Sequence, residues 1–349
     1  MTTQTPSSTI AVDYVKTIGI VNNGLNGRGF ANPYDLAVSS DGRIYVLNRC
    51  DPARAAGIRI GVCSLDEDYL FEFGDGAGSG DTQFRWPVAV AFDSQDCLYV
   101  TDEQNHRVTV FDSDGQFLRK WGTPGRGDGE FNGPAGVAAG PSTGSGGDVI
   151  YVVDQHNARV QKFAFDGSYI GQWGSQGSEP GQFSLPWGAA TDAEGNVYVA
   201  DWRNDRIQKF TADGEFLAAF GSPGYGEGQF QRPTQVAVDS EGYIYVADWG
   251  NERVQILDPE GRFQVLLRGE ATVSKWAQEY FDVNPEEAAE RYQSNLTPEL
   301  PPHLTTPYHV SSQTEPYFWG PVAVSLDREG RLYVVETNRH RFQVYQKRH

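Results

Sequence analysis

Short apolar runs alternate with polar turns along the chain, and the same order of segments recurs six times. Every copy contains a run that reads Ile, Leu or Val, then Tyr and Val, at residues 44–46, 98–100, 150–152, 197–199, 244–246 and 332–334. An apolar run without alternation predicts a strand that is buried on both faces. Recurrence at roughly 47 to 54 residues, with one longer interval after the fifth copy, predicts an array whose units bury their faces against each other.

Residues 183–221 illustrate the strands that each copy predicts. A strand of small residues follows Pro186, and Gly195 and Gly214 stand where hairpin turns need a positive φ. The four predicted strands cover residues 187–191, 197–200, 206–210 and 216–220. Four antiparallel strands per copy are typical of a propeller blade. The predicted fold class is therefore all-β, a six-bladed β-propeller of four-stranded antiparallel blades.

The last copy is incomplete. It begins at Phe318 and supplies only three strands before the sequence ends, whereas residues 14–19 match the fourth-strand segment 117–122. We therefore predict that an N-terminal strand over residues 14–19 completes the sixth blade and closes the ring, which removes exposed strand edges. We expect residues 1–13 to be disordered or extended and residues 14–349 to form one propeller.

A three-residue step opens the third predicted strand of several copies. It reads Asn105-His106-Arg107 in the second copy and Asn157-Ala158-Arg159, Asn204-Asp205-Arg206 and Asn251-Glu252-Arg253 in the next three. The chain resembles the NHL-repeat family, whose consensus contains an Asn-His-Arg step at this position. The resemblance extends over residues 14–349 apart from the insertion, and it implies a six-bladed propeller. The family includes enzymes, sensor domains and interaction modules, so the resemblance implies no single activity.

Two branches of this family have a defined chemistry. Peptidyl-hydroxyglycine amidating lyases, which are similar in fold, carry zinc-ligating histidines directly after the proline that starts certain blades. The matching positions in this chain are Tyr34, Val88, Ala135, Trp187, Thr234 and Val322. Because none of the six is histidine, we predict neither a zinc site of this kind nor a cofactor. NHL domains of tripartite-motif proteins bind RNA on a basic face, and the acidic balance of this chain disfavours that function.

Each copy ends its second strand with an acidic or amide residue and opens its third strand with arginine. The six pairs are Asn48 and Arg59, Asp102 and Arg107, Asp154 and Arg159, Asp201 and Arg206, Asp248 and Arg253, and Glu336 and Arg341. A carboxylate and a guanidinium at adjacent strand ends favour an ion pair. Because nearly every copy carries the pair, we interpret it as a structural clamp rather than as a ring of catalytic carboxylates.

Charge and cysteine content narrow the class of protein. The formal net charge of −18 disfavours nucleic acid as a partner. The first nine residues lack a charged segment followed by an apolar one, and no apolar run reaches transmembrane length, so we expect a cytoplasmic protein without membrane contact. Three cysteines do not make a disulfide framework. Reduced thiols are the favoured interpretation, and a pair between Cys50 and Cys63 is the alternative.

The connectors into each first strand and the loops between second and third strands are expected to share one face, which we call the loop face. Five of the eight tryptophans fall on it. Trp86 and Trp319 are interpreted as packing wedges, whereas the other aromatic side chains, with a few polar groups, predict an axial pocket. The candidate ligand-binding residues are Tyr34, Gln155, Trp187, Trp202, Arg203, Thr234 and Trp249. The expected partner is a small molecule, a peptide or a protein.

An enzyme is the competing hypothesis. A lyase or hydrolase acting in the same pocket would use carboxylate, arginine or tyrosine groups, and its first candidate residues are Glu103, Tyr34, Arg49 and Arg232. The sequence leaves the choice between a binding protein and an enzyme open.

The insertion after the fifth copy, residues 270–317, has its own pattern. Residues 272–293 are predicted to be helical, with Asn284 as an N-cap and Pro285 in a first helical turn. A Pro-rich stretch then returns to the propeller. We expect the insertion to form a lid over the axial pocket, with a brace on the rim as the alternative.

Overall fold

Six four-stranded antiparallel sheets surround a central axis in the computed structural model, which describes residues 10–21, 27–50, 52–141 and 148–348. Their strands are Pro33–Val38, Ile44–Asn48, Arg59–Cys63 and Tyr69–Phe73 in blade 1; Pro87–Phe92, Leu98–Asp102, Arg107–Phe111 and Phe117–Trp121 in blade 2; Pro134–Gly140, Val149–Asp154, Arg159–Ala164 and Tyr169–Trp173 in blade 3; Pro186–Thr191, Val197–Asp201, Arg206–Phe210 and Phe216–Phe220 in blade 4; Pro233–Val238, Ile244–Asp248, Arg253–Leu257 and Phe263–Leu267 in blade 5; and Pro321–Leu326, Arg331–Glu336, Arg341–Arg348 and Ala11–Ile18 in blade 6. The predicted fold class is confirmed.

The N-terminal strand closes the ring as predicted. Ala11–Ile18 pairs antiparallel with Arg341–Arg348 and occupies the outer position of blade 6. The strand begins at Ala11 rather than at residue 14, since its pairing with the last strand continues past Tyr14. Residues 1–9, which belong to the segment expected to be disordered or extended, lie outside the described residues.

The hydrophobic core is a ring of clusters between blades. Each of the six clusters takes its buried side chains from two neighbouring blades. Tyr45 of blade 1, for example, is fully buried against Phe92 of blade 2, and its hydroxyl donates to the carbonyl of Ser113 at 2.5 Å. Because both faces of every second strand are covered by a neighbour, the Ile-Tyr-Val runs carry no polar alternation.

The predicted clamp is present in four blades. Arginine Nε lies 2.8 Å from Asp154, 2.9 Å from Asp201, 2.7 Å from Asp248 and 2.8 Å from Glu336 in blades 3 to 6. The buried carboxylates also accept backbone N–H groups of the connector; Asp201, for example, accepts from Ser184 at 2.8 Å. Each clamp therefore fixes a connector to its blade.

Blades 1 and 2 depart from this arrangement. Blade 1 has the neutral Asn48 at the acidic position, and its Arg59 pairs with Glu72 of the outer strand at 2.9 Å. In blade 2 the Asp102 carboxylate accepts the N–H groups of Arg85 and Trp86, at 2.8 and 2.9 Å. Arg107 donates instead to carbonyl groups of the connector. The prediction of an ion pair is therefore wrong for blade 2, whereas blade 1 lacks the carboxylate that the pair requires.

In four blades the residue before the third strand accepts a hydrogen bond from the next blade's connector, and we call this contact the latch. The Nδ1 atom of His106 accepts the N–H of Gly133 at 3.3 Å, and that of His340 accepts the N–H of Asn32 at 3.0 Å. The carboxylates of Asp205 and Glu252 make the same contact to the N–H groups of Arg232 and Gly320, both at 2.6 Å. Ala158 holds this position in blade 3, where its methyl group cannot accept a hydrogen bond.

The insertion contains the helices α1 (Lys275–Val283), α2 (Pro285–Gln293) and α3 (Pro307–Gln313). The predicted helical stretch is thus two helices that meet at Asn284. Helix α1 lies on the outside of blades 6 and 1, where Trp276 is buried against Phe30 and its indole N–H donates to the carbonyl of Glu67. These contacts make α1 a brace.

Candidate functional site

The loops between second and third strands lie beside the connectors and form the loop face. Short 3₁₀ turns occupy these loops at Pro52–Gly57, Gln155–Asn157, Trp202–Asn204, Trp249–Asn251 and Thr337–Arg339. Backbone hydrogen bonds join them to the connectors, as between the N–H of Arg203 and the carbonyl of Ser184 at 3.0 Å. The hairpins between first and second strands lie at the opposite end of the axis, on what we call the turn face. Every first strand therefore runs from the loop face to the turn face.

At the loop face the axis is nearly closed. The ring centroids of Tyr34 and Trp187 are 6.5 Å apart across it, and Thr234 lines the same space. The axial space between these side chains has a volume of about 10 Å³, which is room for one water molecule. The aromatic side chains expected to line an axial pocket on this face instead fill it, so the prediction of a ligand-sized axial pocket there is wrong.

Arg49 is stacked between two aromatic rings beside this closure. Its guanidinium carbon lies 4.0 Å from the centroid of Tyr34 and 4.2 Å from that of Trp86, distances at which a cation–π attraction operates. Its Nη2 atom is 4.0 Å from Glu103. Burial lowers the pKa of Arg49 and raises the pKa of Tyr34. Three of the four predicted catalytic candidates are therefore neighbours.

A cavity opens further along the loop face, next to blade 3. The Nε2 atom of His156 lies 3.8 Å from the Glu103 carboxylate. The cavity has a volume of about 330 Å³ and is lined by Arg126, His156, Asn157, Ala158, Arg159 and Gln176. It adjoins Ala158 of blade 3. At the equivalent position, blades 2, 4, 5 and 6 carry the larger side chains that form the latch. Arg126 and Gln176, which line this cavity, were not predicted from the sequence to be site residues. The small Ala158 within the Asn157-Ala158-Arg159 step is the sequence feature that could have indicated a cavity here.

Trp202 lies between two arginines on the other side of the axis. The guanidinium carbons of Arg203 and Arg232 are 5.8 and 5.0 Å from its ring centroid, and the Trp187 ring is 6.2 Å away. Arg203 and Arg232 are exposed, and within the described part of the chain neither guanidinium has a carboxylate partner. Tyr34, Trp187, Trp202 and both arginines thus form a continuous surface, which we call the aromatic–arginine surface.

The two remaining ligand-binding candidates lie elsewhere. Gln155 is buried, so its side chain packs inside the fold. Its backbone N–H donates to the carbonyl of Gly133 at 3.2 Å. Trp249 is half-buried in a 3₁₀ turn against which helix α3 packs. The same helix places Tyr308 at 5.9 Å from Trp319, whose ring also contacts Arg339 at 5.3 Å. Helix α3 therefore covers part of the loop face at blades 5 and 6, and whether it closes over a ligand stays a prediction.

The cysteines are not linked to each other. Cys50, Cys63 and Cys97 are free, and the alternative pair is not formed, since Cys50 and Cys63 belong to different interblade clusters. No group of three or more His, Cys, Asp or Glu side chains in residues 10–21, 27–50, 52–141 and 148–348 is placed to hold a metal ion. Over the same residues, no helix has both the length and the apolar character needed to cross a membrane.

Comparison with known families agrees with this architecture. Residues 88–172 match the family described as "6-bladed beta-propeller", and residues 131–226 match the SMP-30/gluconolactonase/LRE-like region. Residues 230–257 and 318–345 match the NHL repeat. The chain is therefore a six-bladed β-propeller that contains NHL repeats.

Among characterised proteins, the chain is similar to NHL repeat-containing protein 3 of Homo sapiens, with 31% identity over 112 residues, or 32% of this chain and 31% of that protein. It is also similar to peptidyl-glycine alpha-amidating monooxygenase of Mus musculus, with 32% identity over 118 residues, or 31% of this chain and 12% of that protein. The aligned regions span less than a third of either relative.

Two solved structures share the fold over nearly the whole chain. Virginiamycin B lyase from Staphylococcus aureus has a TM-score of 0.54 and 13% identity, covering 97% of this chain and 99% of the lyase. An auxiliary nutrient binding protein from Bacteroides ovatus has a TM-score of 0.61 and 14% identity, covering 98% of this chain and 78% of that protein. At these identities the likeness establishes the fold alone.

Proposed function

We propose that the aromatic–arginine surface binds an acidic peptide segment, either free or as part of a protein partner. The observation that carries the proposal is the pair Arg203 and Arg232, two exposed guanidinium groups held against Trp202 without carboxylate partners among the described residues. In a chain with a net charge of −18, unneutralised arginines on one face create a local site for negative charge.

The chemistry of the surface suits this ligand. A planar guanidinium binds a carboxylate through two parallel hydrogen bonds, so each arginine is able to hold one acidic side chain. The rings of Trp187 and Trp202, 6.2 Å apart, offer apolar contact area between the arginines and the axis. A ligand with carboxylates next to an aromatic or aliphatic group would use both features.

The closed axis favours a peptide over a buried small molecule. Sites for small molecules are commonly cavities of about 300 to 1,000 Å³, whereas the axial space at Tyr34 and Trp187 holds about 10 Å³. The cavity at His156 is larger, about 330 Å³, and lies on the same face. A peptide lying across the aromatic–arginine surface would reach it with one side chain.

A binding experiment with two peptides tests the proposal. A fluorescein-labelled peptide of the sequence Glu-Phe-Glu-Glu-Phe-Glu is titrated with the protein and followed by fluorescence anisotropy, with the Gln-Phe-Gln-Gln-Phe-Gln peptide as the neutral control. We expect the acidic peptide to bind at least about tenfold more tightly, and the double variant Arg203→Gln/Arg232→Gln to abolish that difference. Arg328→Gln, which removes an exposed arginine from the turn face, is the matched control. Equal binding of both peptides would show that carboxylates are not recognised.

An enzymatic function is the second candidate, because Glu103 and His156 lie 3.8 Å apart beside Arg49. A carboxylate and an imidazole this close together are able to act as a proton-transfer pair towards a substrate bound beside them. The test is turnover of a panel of esters, lactones and cyclic depsipeptides by the wild type and by Glu103→Gln. Activity that falls at least about a hundredfold in the variant would support an enzyme, and turnover that Glu103→Gln leaves unchanged would remove Glu103 from any mechanism.

A further inference from the structure

A second cavity lies on the axis, on the turn-face side of the aromatic closure. It has a volume of about 240 Å³, is open to solvent and is surrounded by the first strands of all six blades. Its wall consists mostly of alanine, valine and leucine side chains, and Asp35 is the one ionisable residue among the described residues that line it. The cavity is therefore a chamber with a single carboxyl group, and its exposed surface is more polar than apolar although most of its residues are aliphatic.

Asp35 is 3% exposed and stands at the end of this chamber nearest the loop face. One carboxyl oxygen accepts the N–H of Leu36 and the other accepts the N–H of Val90, each at 2.9 Å. No described side chain supplies a positive charge or a further donor to either oxygen. A buried carboxylate without a cation is unfavourable, and burial accordingly raises the pKa of Asp35 to about 7.

Packing does not require a carboxyl group at this position. The equivalent residues, two positions after the proline that starts each blade, are Asp35, Ala89, Gly136, Gly188, Gln235 and Ala323. Four of the six blades use alanine or glycine there, so the ring closes without polar side chains. Gln235 is the other exception; its Oε1 atom accepts the N–H of Val236 at 3.1 Å, and its side chain also lines the chamber.

The entrance to the chamber is negatively charged. A groove of about 510 Å³ on the turn face shares Val38, Val238 and Leu326 with the chamber and so connects it to solvent. The ionisable residues of the groove are Asp239, Glu241, Asp327, Arg328, Glu329 and Lys347, four acidic and two basic. An excess of carboxylates around a narrow entrance raises the local concentration of cations.

We propose that this chamber binds a small primary ammonium compound with a short alkyl chain. The ammonium group donates to the open lone pairs of the Asp35 carboxylate, and the alkyl chain lies along the alanine and valine wall. A divalent cation is a poorer match, because calcium takes about six to eight oxygen ligands and favours several carboxylates, whereas the side chains of the chamber wall supply one carboxylate, one amide and the hydroxyls of Thr191 and Ser325. The proposal is independent of the function proposed for the loop face.

Isothermal titration calorimetry with n-butylammonium chloride tests the proposal, with n-butanol as the neutral analogue of the same length. At about pH 8 we expect the ammonium compound to bind at least about tenfold more tightly than the alcohol, and Asp35→Asn to remove that preference. Glu194→Gln, which deletes an exposed carboxylate on the turn face, is the matched control and should retain it. Equal affinity for the alcohol, or an unchanged preference in Asp35→Asn, would overturn the proposal, as would displacement of the ammonium compound by calcium chloride.

The wild type alone provides a second measurement in case Asp35→Asn does not fold. The ligand needs the ionised carboxylate. Among the described residues, Tyr34 is the ionisable neighbour of Asp35, and its pKa is raised by burial. Binding of n-butylammonium should therefore weaken at least about tenfold between about pH 8 and about pH 5.5, while binding of n-butanol should stay constant. Affinity for n-butylammonium that does not change with pH would place the ammonium group elsewhere.

Discussion

Asp35 should make the unfolding free energy of the protein depend on pH, and a single substitution should remove that dependence. The pKa of its carboxyl group is raised from the ordinary value of 3.8 to about 7 because the group is buried at the axis. The folded protein therefore holds a proton that the unfolded chain releases in this interval, and the resulting stabilisation is complete below about pH 4 and is lost as the pH rises through about 7. At 1.36 kcal/mol per pH unit, the full effect is about 4 kcal/mol.

The asparagine variant isolates this contribution, since Asp35→Asn keeps the size of the side chain and cannot ionise. Between about pH 5.5 and about pH 8 the wild type should lose about 2 kcal/mol of unfolding free energy relative to Asp35→Asn. Guanidinium chloride unfolding of both proteins at the two pH values measures this difference. Asp41→Asn is the control. Burial opposes ionisation of the exposed Asp41, but hydrogen bonds from Ser39 and Arg43 outweigh it and lower the pKa of this carboxyl group below 3.8. Asp41 is therefore ionised at both pH values, and the difference in unfolding free energy between the wild type and Asp41→Asn should be the same at each. A difference between wild type and Asp35→Asn that is the same at both pH values would refute the argument.

The latch and the brace yield three further predictions, each measured by chemical unfolding. His340→Ala should lower the unfolding free energy by about 1 to 3 kcal/mol, since it leaves the N–H of Asn32 without its acceptor. Because burial lowers the pKa of His340, the unfolding free energy of the wild type should decrease as the pH falls below about 6.5, and that of the variant should not. Ala158→Asp should stabilise the protein by about 1 kcal/mol by accepting the N–H of Leu185, and no gain would mean that the latch geometry differs in blade 3. Trp276→Ala should destabilise by about 3 to 5 kcal/mol, and a loss below about 1 kcal/mol would show that α1 is not a brace.

The repeat made the architecture predictable, because its signal is averaged over six copies. The Tyr-Val runs place the second strands in register, and the match between residues 14–19 and 117–122 identifies the closing strand. The clamp was predicted for the blades that carry both an acidic and a basic residue. It forms in blades 3 to 6 and fails in blade 2, where Asp102 binds backbone N–H groups. Blade 1, where Asn48 is neutral, uses a different pair.

The site was less predictable because its features come from differences between blades. Whether Tyr34 and Trp187 line the axis or close it depends on a ring separation of 6.5 Å, which no pattern in one dimension specifies. Glu103 and His156 belong to different blades, so their contact depends on the packing of those blades. Asp35 could have been found from the sequence, since it stands where four other blades have alanine or glycine.

The pairing of Ala11–Ile18 with Arg341–Arg348 also has a consequence for biosynthesis. Of the strands of the propeller, Ala11–Ile18 is synthesised first and its partner last, so its edge stays without a partner while the five intervening blades are made. Closing so long a loop is entropically unfavourable until those blades have stacked. A circular permutant that joins the paired strands by a short hairpin and begins at blade 1 would bring these partners next to each other in the chain.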